Sequence, residues 1–422
     1  LFHLHFGISA RRYEDFLIFK LIILHFARLF VILHENNKDN MKRILFSYLL
    51  FIATLFVANA QEYVCNTEKI NVAVIMPFDL DNNVKSTESK KALDFYEGVL
   101  MTVDSLKKAG VNIYVQALDE GSASHSKIQS VVQHPFLKEA DVIIGPGRGA
   151  DITPLATFAQ NYHIPLVVPF ANTLNLAYGK PYVFQCNTQH FTHYDKVFNR
   201  FVKHHGTENV LFVDMKDRNQ KEAFTAGFTK HLQENAVPYK YIEFSDFDDK
   251  LTEMLDSTRN NILVPSSASA HFFDMLCMKL DDMKLLEKYK LQLIGTPEWQ
   301  TFPKKSQNAM YQYKATFFTT FYNNNLSSRT RNFMERFTNN FHHEQHGSYP
   351  RYGEMGHDIS AFFLTAIQRY GNKLFNHIQQ HDYNSLQLPM HFVRTAEGNG
   401  FTNVATYIIY YKNTGDVILS TF

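Results

Sequence analysis

The sequence predicts an α/β protein of two lobes, each a parallel β-sheet flanked by helices. Three observations predict it. From Lys69 onward, short apolar runs rich in β-branched residues alternate with stretches of helical spacing. The runs are apolar throughout rather than alternating, as expected of parallel strands covered on both faces. The alternation comes in two sets that divide near Tyr182, and repeated strand–helix alternation builds one parallel, right-handed sheet per set.

The first set opens with Ile70-Asn71-Val72-Ala73-Val74-Ile75-Met76, a strand ended by Pro77. Residues 91–108 place Leu93, Tyr96, Val99, Leu100, Val103 and Leu106 on one helical face, and Gly110 stops that helix. A strand at 113–118, a helix at 126–133, a strand at 142–144, a helix at 152–162 and a strand at 166–168 complete it. The second set reads helix 193–204, strand 210–213, helix 220–235, strand 239–244, helix 250–257, strand 262–264, helix 270–287 and strand 291–294. The C-terminal third breaks this rhythm. It reads as a strand at 315–322, helices at 329–346 and 352–370, and a hairpin of 404–411 with 417–419 turned at Asn413-Thr414-Gly415. This portion is expected to cross back between the lobes.

Composition narrows the function. Lysine and arginine number 42 against 41 aspartate and glutamate, which lacks the basic excess of a nucleic-acid binder. Hydrophobic residues at 45% and charged residues at 20% are those of a globular protein. Three cysteines are too few for a disulfide scaffold and lack the paired spacing of a zinc site. Met41-Lys42-Arg43, the apolar stretch 44–57 and Ala58-Asn59-Ala60 form a signal sequence cut before Gln61. Residues 1–40 then read as upstream or mis-started sequence. Their apolar stretch 16–33 is interrupted by Lys20, His25 and Arg28, and a real membrane helix is the rival reading. No apolar run after Ala60 is long enough to span a bilayer, so the expectation is a periplasmic protein without a stable membrane span.

Several pieces, in order and spacing, resemble the type I periplasmic binding-protein fold in its leucine/isoleucine/valine-binding branch. They are Val72-Ala73-Val74-Ile75-Met76-Pro77-Phe78, Phe95-Tyr96-Glu97-Gly98, Asp141-Val142-Ile143-Ile144-Gly145-Pro146, Ile164-Pro165-Leu166-Val167-Val168-Pro169-Phe170, Gly295-Thr296-Pro297-Glu298-Trp299 and Gly356-His357-Asp358. The wording is closest to versions found in Bacteroidota. The resemblance implies two Rossmann-like lobes joined by a multi-strand hinge, with residues 68–185 and about 320–385 in the first and 186–319 and about 386–422 in the second. It also implies ligand capture in the cleft by hinge closure.

The candidate ligand residues follow strands, where clefts of open α/β sheets lie. Gly147, Arg148 and Gly149 sit between a strand and a helix, placed either as an anion nest with an added cation or as a tight turn that needs glycine. Where the family carries a ligand-holding serine, this sequence has Arg148 and Gly149. Ala171 and Thr173 fit a ligand-contacting Ala-x-Thr segment of the family, while Asn172 or Thr173 equally suits a helix N-cap. Asp119 and Tyr194 are further cleft candidates. Glu298 beside Trp299 suits an amino group or a solvated loop.

His342, His343 and His346 read as lying on one helix, with His342 and His346 at i,i+4, but His-Glu-x-x-His is absent and no metal is expected. Neither a nucleophile–base set nor a cofactor fingerprint can be assembled, so the chain is expected to be no enzyme and to need no cofactor. The expectation is a non-enzymatic solute-binding protein taking an amino acid, short peptide or related metabolite, with an ABC transporter permease as partner. The alternative is the same fold with a degenerate cleft, docking on a cell-wall synthesis protein. Fold alone does not choose between them.

Overall fold

The computed structural model describes residues 68–422; the expected signal sequence, the apolar stretch 16–33 and Cys65 lie outside the described residues. In chain order the first lobe has β1 (Ile70–Met76), α1 (Thr87–Lys108), β2 (Ile113–Asp119), a small hairpin of β3 (Gly121–Ser122) and β4 (His125–Ser126), α2 (Ile128–Val132), β5 (Val142–Ile144), α3 (Ile152–Tyr162), β6 (Leu166–Val168) and β7 (Val183–Gln185). The second lobe has α4 (Tyr194–His205), β8 (Asn209–Asp214), α5 (Glu222–Glu234), β9 (Tyr239–Glu243), α6 (Phe247–Met254), β10 (Asn260–Pro265), α7 (Ala270–Asp282), β11 (Lys290–Gly295), α8 (Gln307–Gln312) and β12 (Thr316–Thr319). The chain returns to the first lobe for α9 (Ser328–Phe341), α10 (Tyr352–Tyr370), α11 (Leu374–His377), β13 (Phe392–Val393) and β14 (Phe401–Asn403). It ends in the second with β15 (Tyr407–Tyr411) and β16 (Val417–Thr421).

The sheets run β2-β1-β5-β6-β7-β14-β13 and β9-β8-β10-β11-β12-β15-β16. In both, the first five strands are parallel, and the order reverses beside the first strand of the lobe. This is a doubly wound sheet, so helices cover both faces. In the first lobe Ala92, Phe95 and Val99 of α1 pack with Ile359, Phe362 and Phe363 of α10 on one face. Ile128, Leu155 and Ala159 cover the other. In the second lobe Phe198, Phe224 and Phe228 pack on one face and Phe247, Phe273 and Leu276 on the other.

Helix α1 starts where the Ser86 side chain accepts the Ser89 amide at 3.1 Å, a cap its first turn needs. Its contact with α10 is unusually close. A Cβ on Gly98 would fall within 3.0 Å of the Gly353 carbonyl, and one on Gly356 within 3.0 Å of the Phe95 carbonyl. Two of the pieces that carry the resemblance are thus a helix–helix packing device. Asp358, fully buried on the same helix, accepts the amides of Leu386, Gln387 and Leu388 at 2.7–2.9 Å.

Those bonds correct the expected lobe boundary at 386. Residues 386–403 stay with the first lobe because Asp358 holds their start, and Phe392 and Phe401 pack on Phe184. β14 pairs in parallel with β7, and the last crossover comes at 404–406. The helix expected over 329–346 ends at Phe341, since His342 takes a left-handed conformation (φ 60°) while its amide still bonds Thr338. Cys186 and Cys277 are buried and free, and burial pushes both thiols up.

Gly98→Ala should destabilise the protein by about 1–3 kcal/mol, because the clash is with backbone that only helix separation relieves. Gly347→Ala, with no atom within 4 Å of the added methyl, serves as the neutral control. Urea unfolding of the two variants beside the wild type checks the expectation.

Candidate functional site

Three crossovers join the lobes, at 186–193, 320–327 and 404–406. Each leaves its lobe beyond the carboxyl end of a strand, namely β7, β12 and β14. The carboxyl ends of both parallel sheets therefore lie on the hinge side, and the cleft between them is lined by the loops that leave those ends. Ligand crevices of doubly wound sheets open where the strand order reverses. Here that is between β1 and β5 in one lobe and between β8 and β10 in the other.

The first-lobe wall is densely cross-bonded within itself, although Glu120 Oε2 and Arg148 Nη1 are buried without a hydrogen-bond partner. Asp119 accepts the amides of Asp79, Leu80 and Gly121 at 2.9–3.1 Å and the Lys127 ammonium at 3.1 Å. Burial works to raise its carboxyl, but these donors outweigh it and the net shift is downward. Asp119 is thus a bracket for the loop after β1. Arg148 is buried, with Nε and Nη2 both on Asp151 Oδ2 (2.9 and 2.5 Å) and Nη2 also on the Glu120 carbonyl (3.0 Å). Its backbone amide donates to Glu120 Oε1 at 3.0 Å. Glu120 is fully buried, and burial, opposed by the Arg148 charge, pushes its carboxyl up to about 9.

At neutral pH Glu120 is therefore protonated and the triad reads as one ion pair plus a neutral acid. A Cβ on Gly147 would crowd Pro77 and Glu120, so this glycine serves the tight turn, whereas Gly149 faces open space. The Arg148 charge, expected to face the ligand, is matched within the protein.

Residues 171–173 lie on the loop after β6. No helix follows them, so the capping alternative has nothing to cap. Their carbonyls are taken by crossover side chains: Gln185 Nε2 bonds Thr173 O at 3.0 Å and Ala171 O at 3.4 Å, and Gln189 Nε2 bonds Asn172 O at 3.1 Å. The Asn172 and Thr173 side chains are exposed and border a cavity of about 430 Å³ with Gln189, Thr192 and Asn399.

The second-lobe wall gathers Tyr194 and Glu298, with two residues the sequence reading passed over. Lys221, at the start of α5, lies 2.6 Å from Glu298 Oε1. Burial works to raise the Glu298 carboxyl, but the Lys221 ammonium, the Thr296 hydroxyl and the residue's own backbone amide together outweigh it, and the net shift is downward. Glu298 acts on both His190 and Tyr194, and Lys221 acts on His190, which places the four groups in one electrostatic neighbourhood. Tyr194 and His190 both pack edge-on against Phe318, at 5.7 and 6.2 Å, and burial pushes the Tyr194 phenol up to about 12. Two buried atoms on this wall, His190 Nε2 and Glu298 Oε2, have no hydrogen-bond partner. Lys221 and His190 carried no local signal, because their neighbours come from β11 and its following turn, far along the chain. The arrangement offers a carboxylate oxygen, an ammonium, an imidazole and a phenol on an aromatic floor, a donor–acceptor set for a small polar molecule. Among the described residues no helix is long and apolar enough to cross a membrane.

No family model matches the chain, and neither does any curated protein sequence. Solved structures do match. A Rhodospirillum rubrum protein assigned as a branched-chain amino acid ABC transporter superposes with a TM-score of 0.56 at 12% identity, over 83% of this chain and 100% of that one. A branched-chain amino acid ABC transporter periplasmic ligand-binding protein of Burkholderia xenovorans matches at 0.48 and 13% identity, over 84% and 95%. An ABC transporter substrate-binding protein of Desulfitobacterium hafniense, in complex with leucine, matches at 0.44 and 12%, over 84% and 100%. At such identities the likeness speaks to fold, and the fold is that of type I periplasmic binding proteins.

Arg148→Ala should destabilise the protein by about 3–5 kcal/mol, because it leaves the buried Asp151 carboxylate without its cation. Glu120→Gln tests the protonation state. A carboxyl raised from 4.5 to about 9 on folding contributes stability that is present below pH 4.5 and lost as pH rises through 9. The Gln variant lacks that loss, so its stability relative to wild type should improve steadily between pH 5 and pH 9 in urea unfolding. A constant difference would contradict a buried neutral Glu120.

Proposed function

We propose that the chain is an exported, non-enzymatic solute-binding protein whose lobes close on a small ligand between the two points of strand-order reversal. An amino acid, a short peptide or a related metabolite is the ligand class. The observation that carries this reading is the second-lobe wall, where His190 Nε2 and Glu298 Oε2 are buried without partners beside Lys221 and Tyr194. Native proteins leave few such atoms unmatched, and a ligand ammonium and hydrogen-bonding group would satisfy both. Glu298 Oε2 takes the ammonium in this reading, His190 and Tyr194 orient polar groups, and Phe318 floors the pocket. Asn172 and Thr173 approach from the first lobe on closure, while Arg148, Gly147 and Asp119 hold the loops that face the ligand.

Several features support the reading. The hinge has the three crossovers that closure of this fold uses, and the Rhodospirillum rubrum structure that shares the fold is assigned as a branched-chain amino acid ABC transporter. Export through the segment at 41–60 places the protein in the periplasm, where an ABC transporter permease is the partner class. Docking on a cell-wall synthesis protein through a degenerate cleft is the competing reading.

A thermal-shift screen of the purified protein against amino acids, short peptides and cell-wall fragments tests it. A ligand at 100 times its dissociation constant adds about 2.7 kcal/mol, a rise of a few degrees for a protein of this size. Glu298→Gln should abolish the rise while leaving the unliganded melting temperature within about a degree, since the residue is partly exposed. No rise across the panel, from protein that melts cooperatively, would overturn the proposal in favour of the docking reading.

A further inference from the structure

Away from the cleft, the segment between α9 and α10 folds back over α1 and brings two carboxylates and two imidazoles together. Asp94 and Glu97 stand three residues apart on α1, so both project from one side of the helix. Asp94 is fully buried and Glu97 is 8% exposed. His343 Nε2 lies 3.1 Å from both Glu97 oxygens, and His346 Nδ1 lies 3.1 Å from Asp94 Oδ1. The His346 backbone amide donates to Asp94 Oδ2 at 2.7 Å. One oxygen of Asp94, one of Glu97 and a ring nitrogen of His343 fall within 4.8 Å of one another.

The hydrogen bonding of His343 sets its chemistry. Nδ1 lies 3.0 Å from the Glu344 carbonyl, an acceptor, so Nδ1 carries the proton. In the neutral ring Nε2 is then a bare lone pair facing two carboxylate oxygens, three acceptors with nothing between them. Either a second proton or a cation must occupy that space. A backbone carbonyl on one ring nitrogen with the other aimed at carboxylates is the arrangement by which proteins orient a metal-binding histidine. Glu97 Oε2 also has no hydrogen-bond partner. The two histidine side chains are 35% exposed, which leaves an entry path and an open coordination position.

We propose that Asp94, Glu97 and His343 form a binding site for a divalent transition-metal ion of the zinc type. His346 is a positioning residue that fixes the Asp94 carboxylate. A nitrogen and two carboxylate oxygens with a vacant position suit zinc, whose bonds to such ligands run about 2.0–2.2 Å. Present separations need only a modest contraction of the His343 loop toward α1. Calcium and magnesium prefer all-oxygen sets and are disfavoured by the imidazole. The ion would pin the 342–348 loop onto α1 and thereby brace the α1–α10 pair. The site was hidden in the sequence because the pairing that catches the eye, His342 with His346, depends on a helix that ends before either residue. The carboxylate ligands lie some 250 positions upstream.

Chelator-treated protein titrated with zinc chloride by calorimetry tests the proposal, with cobalt chloride as a spectroscopic probe. The expected result is one ion per chain, a visible cobalt absorption of a low-coordinate site, and a higher melting temperature with zinc. His343→Ala and Glu97→Gln should weaken zinc binding by more than about 100-fold, and His346→Ala by about 10–100-fold, as loss of a supporting partner does. His342→Ala, an exposed neighbour outside the cluster, should leave affinity unchanged. If Glu97→Gln fails to fold, His343→Gln with the cobalt spectrum as readout stands in its place. Absence of stoichiometric binding by the wild type, or binding that survives His343→Ala, would overturn the proposal. The first outcome would leave the cluster a pair of histidine–carboxylate bridges, and the second would assign the ion to other histidines of the chain. Neither outcome bears on ligand capture in the cleft.

Discussion

The backbone contact between α1 and α10 is the constraint on which the first lobe depends. With no side chain at Gly98, Gly353 or Gly356, the helices approach until backbone meets backbone. The closeness has consequences in both directions along the chain. It sets the height of Asp358, whose buried carboxylate gathers three successive amides of the returning chain. It also carries Tyr352, at the start of α10, against Phe170 at the end of β6, where ring centroids are 5.1 Å apart. One helix pair thus places both the hinge-side strand β14 and a corner of the cleft. A widening of a single ångström would be felt at each.

The two cleft walls bury charge in different ways. In the first lobe Arg148 is paired with Asp151 and burial pushes the Glu120 carboxyl up, though Glu120 Oε2 and Arg148 Nη1 keep no hydrogen-bond partner. In the second lobe Lys221 and Glu298 face each other near the surface, while one Glu298 oxygen and one His190 nitrogen remain unmatched. Unmatched buried groups cost about 1–3 kcal/mol each until something pairs with them. Both walls therefore hold buried polar atoms that the protein itself leaves unmatched.

The legible parts of the sequence were those in which one residue type repeats locally. β5 and β6 are unbroken apolar runs, and β1, β8, β10 and β11 nearly so, because they are covered on both faces, and the two lobes follow from their alternation. β7, β13 and β14 escaped notice because they are two or three residues long and owe their place to Phe184, Phe392 and Phe401 packing across more than 200 positions. The candidate site was read less well for the same reason. Tyr194 and Glu298 fall in one electrostatic neighbourhood of the second lobe. The charge partner of Arg148, Asp151, lies only three residues on, but its burial depends on Glu120, 28 residues back in the loop after β2, which the sequence did not show. Lys221 looked like any helix-start lysine until β11 brought Glu298 beside it. The pieces shared with a known family proved informative about packing, at Gly98 and Gly356, more than about ligand.

The hinge limits what closure can be. His193 spans the first and third crossovers, with Nε2 on the Thr188 hydroxyl and Nδ1 on the Thr406 hydroxyl, both at 2.7 Å. A neutral imidazole donates through one nitrogen and accepts through the other, and two hydroxyls can turn to suit either tautomer. Burial pushes its pKa down to about 4, so this bracket stays intact across physiological pH. The second crossover is held separately, by the Tyr322 amide on the Gln387 carbonyl at 2.9 Å and by its phenol against Tyr411 at 3.2 Å. With two crossovers bracketed as a unit and the third anchored to each lobe, sliding of one lobe over the other would break several buried bonds at once. A motion that keeps the His193 and Tyr322 brackets paired is rotation about the crossovers rather than sliding.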